Sequence, residues 1–111
     1  MSSAGVLATV GKVTYRFTSE LWMAPAEAAW FFVTLPHDVA DDIEERTAPT
    51  SKRGFGSVRV QVTVGSTTWD TSVFPDTKRR SYVLPIKKQV RLAEGIDDGD
   101  AVTIALTLVD N

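Results

Sequence analysis

The sequence predicts an all-β protein: one small closed or split barrel of about six strands, with two short helices. Three observations carry this reading. Val58, Val60, Val62 and Val64 alternate with Arg59, Gln61 and Thr63, the period of a strand with one buried face. Gly65-Ser66 follows directly and reads as a two-residue hairpin turn. Finally, the two halves echo each other. Phe32-Val33-Thr34-Leu35-Pro36 and Tyr82-Val83-Leu84-Pro85 each lead into a short helical stripe and then an alternating strand. Such self-similarity points to an internal pseudo-two-fold repeat, built as a duplicated swapped-hairpin barrel.

The elements follow in order. The first twelve residues are small and weakly patterned, so a flexible N-terminus is expected over 1–12 and the domain over 13–109. Val13, Tyr15 and Phe17 alternate with Thr14, Arg16 and Thr18 in a strand that runs to about Trp22, before Ala24-Pro25-Ala26-Glu27 breaks it. Trp30 to Leu35 is aromatic and β-branched, and reads as a strand buried on both faces. Pro36 closes it and suits the start of a helix. Val39 and Ile43 then form the apolar stripe of a short helix that carries Asp38, Asp41, Asp42, Glu44 and Glu45. Residues 46–56 form a loop with Pro49 and Gly54-Phe55-Gly56.

After the valine strand and its hairpin, Thr67 to Phe74 returns antiparallel, and Pro75 to Arg80 turns. Ser81 to Leu84 is a short strand. In the second helix Ile86, Val90 and Ala93 are expected inward and Lys87, Lys88 and Arg91 outward. Glu94-Gly95 ends that helix, Asp97-Asp98-Gly99-Asp100 turns, and Val102, Ile104, Leu106 and Leu108 alternate along a last strand.

Composition bounds the chemistry. The chain has 111 residues, 43% hydrophobic and 23% charged, which is the make-up of one folded domain. With no cysteine and a single histidine, thiolate nucleophiles, disulfides, iron–sulfur clusters and two-histidine metal sites within one chain are excluded. No apolar run nears the ~20 residues of a membrane span, and the N-terminus lacks the regions of a signal peptide. The expectation is a cytoplasmic protein with no membrane association. The net charge of −2 hides an asymmetry: residues 52–91 hold nine basic and two acidic residues, the remainder three basic and twelve acidic. One face that attracts anions is expected from this.

Arg53-Gly54-Phe55-Gly56-Ser57-Val58-Arg59-Val60, Thr67-Thr68-Trp69-Asp70-Thr71-Ser72-Val73-Phe74-Pro75 and Tyr82-Val83-Leu84-Pro85-Ile86-Lys87-Lys88-Gln89-Val90-Arg91, together with Trp30 to Pro36, carry a resemblance. In this order they resemble the bacterial domain-of-unknown-function family 1905, over roughly residues 13–109. The resemblance implies a double-split β-barrel distantly like the AbrB and MazE swapped-hairpin barrels. It also implies that both hairpin units come from one chain, so a monomer is sufficient to close the barrel. It transfers no activity. Asp70 stands where a basic residue is expected in the family, which breaks up a uniformly cationic face around Trp69.

No catalytic constellation emerges. There is no Gly-x-Ser-x-Gly elbow, Tyr82 and Lys87 have the wrong spacing for a reductase pair, and Arg53-Gly54-Phe55-Gly56 lacks the features of a phosphate loop. His37 reads as a solvated first-turn residue, and the aspartates at 97, 98 and 100 as a turn, without the calcium-loop spacing. What remains is a set of cations interleaved with aromatics: Arg53, Phe55, Arg59, Trp69, Arg79, Arg80, Tyr82, Lys87, Lys88 and Arg91. Cations with flat faces suit a small anionic ligand at a barrel mouth. The leading expectation is therefore a non-catalytic binding module, needing no cofactor, for a small anionic ligand or protein partner. A nucleic-acid-binding protein is the alternative, and a small enzyme using the barrel mouth the second alternative.

Overall fold

The computed structural model describes residues 5–9, 12–25, 30–47 and 56–109. Its elements run β1 (Gly5–Thr9), β2 (Lys12–Ala24), β3 (Trp30–Thr34), α1 (His37–Thr47), β4 (Val58–Val64), β5 (Thr67–Asp76), β6 (Ser81–Pro85), α2 (Lys88–Glu94) and β7 (Ala101–Leu108). Six strands close an antiparallel barrel in the order β2-β3-β6-β5-β4-β7, with β7 pairing back onto β2. β1 lies outside this ring and pairs antiparallel with the start of β2.

The two long strands make closure possible, because each serves two partners along its length. In β2, residues 14–20 pair with β7 and residues 21–24 with β3. In β5, residues 67–73 pair with β4 and residues 74–76 with β6. The chain is thus two copies of one unit, β2-β3-α1-β4 and β5-β6-α2-β7. The units exchange strands: β3 pairs with β6 (Val33 opposite Leu84), and β4 with β7 (Val62 opposite Leu106). This is the swapped, pseudo-two-fold arrangement that the sequence echo predicts.

The barrel is filled from all sides. Tyr15, Phe17 and Leu21 of β2, Val60 and Val62 of β4, Leu84 of β6, and Ile104 and Leu106 of β7 are buried together, each such side chain contributing about 1.5–3 kcal/mol. Val39, Ala40 and Ile43 of α1 and Val90 of α2 plug the flanks. Tyr15 also anchors α1, donating its hydroxyl to Asp42 Oδ2 at 2.5 Å while Arg46 Nε donates to the same oxygen at 2.7 Å. The 97–100 turn is tied to β2 by Leu21 N–H to Asp100 O and Gly99 N–H to Leu21 O. No helix among the described residues is long and apolar enough to cross a membrane.

Several expectations are corrected. Residues 5–9 form a strand, although nothing in their pattern marks one. β3 is not buried on both faces: Phe31 and Val33 enter the core, while Trp30, Phe32 and Thr34 face outward and Trp30 is 55% exposed. The reason is strand alternation: one face of β3 turns into the barrel, and the other is covered only in part, by side chains such as Trp22. Ala93 is exposed rather than inward, because α2 is seven residues long and buries Val90 alone. α1 extends through Thr47, past the expected loop start, and Pro75 and Asp76 belong to β5 rather than to the turn.

Candidate functional site

The split in the barrel sets the geometry of the site. β5 pairs with β6 only at residues 74–76; ahead of them it swings to β4 and leaves a gap beside β3 and the end of β6. A cleft of about 430 Å³ lies there, lined by Trp30 and Phe31 of β3, Trp69, Asp70 and Thr71 of β5, Pro85 at the end of β6, Ile86 and Lys87 of the β6–α2 connection, and Lys88 and Arg91 of α2. Trp69 lies opposite buried Val62 in the β4–β5 register, and so packs partly against the core at the cleft wall.

Arg91 is the best-held cation in the cleft. Its guanidinium carbon sits 3.8 Å from the centroid of the Phe31 ring, and its Nε donates to the Ile86 carbonyl at 3.3 Å. These two contacts hold the guanidinium over the ring, and among the described residues its terminal amines are left for an acceptor. Lys87 and Lys88 are exposed and have no ion-pair partner among the described residues. Three cations therefore share the cleft with one carboxylate, Asp70, whose Oδ1 accepts a long 3.4 Å bond from Gln61 Nε2.

A row of rings leads out of the cleft. Trp30 stacks on Phe32, with centroids 6.4 Å apart and planes at 14°, and Phe32 meets Trp22 at 5.2 Å and 34°. Trp22 Nε1 donates to Thr34 Oγ1 at 2.9 Å, and the Arg79 guanidinium lies 3.9 Å over the Trp22 ring. Arg79 is held in turn by Asp76, whose Oδ2 accepts from its Nη1 at 2.9 Å. Burial opposes the Asp76 charge, but the backbone N–H and guanidinium of Arg79 and the N–H of Lys78 outweigh it and hold its carboxyl below the ordinary range.

A second cleft, of about 460 Å³, lies under α1 with Asp41, Glu44, Asp76, Arg80 and Tyr82 among its lining residues. It is acidic where the first is basic. Tyr82 is 4% exposed, and its phenol is pushed up by burial and then by the charge of Glu44. Arg80 takes a left-handed backbone conformation, φ 53°, at the end of the turn.

The sequence-predicted residues are therefore divided. Trp69, Lys87, Lys88 and Arg91 share the basic cleft; Arg80 and Tyr82 line the acidic one; Arg79 stacks on Trp22 outside both. Arg59 is exposed on β4 opposite Ser72 and lines neither. Arg53 and Phe55 lie outside the described residues. Sequence reasoning missed Trp30, Phe31 and the Trp22–Phe32 pair. Their signal was the period-two split of Trp30, Phe32 and Thr34 from Phe31, Val33 and Leu35, hidden because both sets are apolar or aromatic at the start of the strand. Outside the clefts, His37 Nε2 donates to the Arg79 carbonyl at 3.1 Å and ties α1 to the β5–β6 turn. Among the described residues no group of three acids or histidines is placed to hold a metal, and no buried side-chain nitrogen or oxygen lacks a hydrogen-bond partner.

Residues 17–106 match the model of a family described as a domain of unknown function, DUF1905. No curated protein matches the chain.

Proposed function

The chain belongs to the DUF1905 family, for which no activity is described, and from that premise we propose that it is a non-catalytic binding module for a small anionic ligand. The site is the basic cleft beneath α2. One observation carries the reading: Arg91 is held over Phe31 in the same cleft as Lys87 and Lys88, and among the described residues its terminal amines have no hydrogen-bond partner and the two lysines no ion-pair partner. A fixed fork binds carboxylate or phosphate bidentately and loses little side-chain entropy in doing so. The volume falls in the range of small-molecule sites, and the Trp30 and Trp69 walls make the cleft amphipathic rather than a bare charge cluster.

Titration with inorganic phosphate and with citrate at low salt, followed by tryptophan fluorescence, tests this. All three tryptophans of the chain lie in the cleft or in the row beside it, so occupancy is expected to change emission saturably. The double variant Lys87→Ala/Lys88→Ala is expected to lose that response. Absence of any response from the unmodified protein overturns the proposal.

A further inference from the structure

We infer that the anion taken by this cleft is a nucleoside phosphate, with its base stacked against Trp30 and its phosphate held by Lys87, Lys88 and Arg91. The inference rests on the anion-binding reading above and narrows it. Two features of the cleft are unexplained by a bare anion. The first is the indole of Trp30, more than half exposed, an orientation that leaves a large apolar ring in water. Its ring plane is already set by stacking on Phe32 at 14°, and Phe32 is braced by Trp22. A flat aromatic ligand joining that stack removes apolar surface from water without ordering a loose side chain.

The second feature is Asp70. A carboxylate in a site built for anions repels them, but it accepts hydrogen bonds from sugar hydroxyls or from an exocyclic amine. The cleft is therefore tripartite: cations on α2 and its lead-in, a flat indole on β3, and an acceptor on β5. Phosphate, base and hydroxylated sugar are the three parts of a nucleotide, and about 430 Å³ is room for one such unit. A free nucleotide and one unit of a single strand present the same chemistry. Duplex nucleic acid does not, because its bases are stacked on one another.

Calorimetric titration with adenosine monophosphate, adenosine and inorganic phosphate separates the possibilities. The monophosphate is expected to bind about tenfold or more tighter than either fragment, since stacking and charge act together. Trp30→Leu is expected to bring the monophosphate down to the level of inorganic phosphate and to leave phosphate binding where it was. Circular dichroism verifies that the variant folds. If the monophosphate binds no tighter than inorganic phosphate, or Trp30→Leu leaves its advantage intact, the nucleotide assignment is overturned while the anion reading stands. If neither monophosphate nor phosphate binds, both fall. A short oligothymidine titrated at about 50 and 200 mM salt identifies the source. Binding tighter than the monophosphate, with steep salt dependence, supports a single strand, and binding no tighter supports a free nucleotide.

Discussion

The guanidinium carbon of Arg91 lies over Phe31, 3.8 Å from the ring centroid, while the same side chain donates to the carbonyl of Ile86. A residue on α2 is thereby fixed by the inward face of β3 and by the segment that follows β6. The most important cation of the cleft is positioned by both repeat units of the barrel at once.

Arg91→Lys keeps the charge and loses both the planar stack and the fork. Phosphate affinity is expected to fall about fivefold to tenfold, with a stability loss of about 1 kcal/mol from the contacts given up. Paired fluorescence titration and thermal melts measure the two quantities. Unchanged affinity removes Arg91 from the site.

Tyr15 and Asp42 form the anchor of α1. Tyr15→Phe deletes the hydroxyl that Asp42 accepts, while Arg46 still donates to that carboxylate, so a loss of about 1.5 kcal/mol is expected by urea denaturation. Burial, followed by the bond to Asp42, pushes the Tyr15 phenol up.

Acid denaturation reads the same anchor from the other side. The hydrogen bonds from Tyr15 and then Arg46 hold the Asp42 carboxyl below its ordinary value. A carboxyl lowered on folding stabilises the native state above its unfolded pKa of about 3.9 and ceases to do so as the pH falls through the folded value. Between pH 5 and pH 3, about the window set by that unfolded pKa, Tyr15→Phe is expected to flatten part of the stability loss seen in the unmodified protein. Parallel slopes would place the acid sensitivity elsewhere.

Gly65 begins the β4–β5 turn at φ +59°, and a Cβ there would fall 2.0 Å from Glu94 Oε1. Glu94 accepts from the Thr67 hydroxyl at 2.6 Å, so it must yield a hydrogen bond as well as space. Gly65→Ala is expected to cost about 1–2 kcal/mol, mostly from the left-handed backbone. Adding Glu94→Ala relieves the crowding and leaves the backbone strain, so the double variant is expected to stay less stable than Glu94→Ala alone.

Trp30→Ser is expected to change stability by less than about 1 kcal/mol, against the roughly 3–5 kcal/mol of deleting a buried tryptophan, because the indole faces water. Iodide quenching of the unmodified protein should also show one readily accessible tryptophan. A large destabilisation would place Trp30 in the core.

Sequence alone determined the parts of this protein governed by short-range periodicity. The alternation of Val58 to Val64, the Gly65-Ser66 turn, the Leu35-Pro36 helix start and the repeat are local signals, and each maps onto its element. Pro85, by contrast, stays in β6 and α2 begins three residues later, at Lys88, so that Ile86 and Lys87 lie outside the helix expected to hold them. The cations of α2 and Trp69 were legible as candidates for the same reason: type and spacing are enough to name them. Tertiary structure decided what no local pattern encodes. A run such as Trp30-Phe31-Phe32 is apolar at every position, so only strand pairing selects Phe31 for the core and leaves Trp30 and Phe32 outside. The basic stretch likewise reads as one surface, but Arg80 and Tyr82, before and at the start of β6, line the acidic cleft, while Lys88 and Arg91, beyond its end, line the basic one. Charges close in sequence part company because β6 lies between them, so that its two ends meet different neighbours, and a side chain's neighbours are set by strand pairing rather than by chain order.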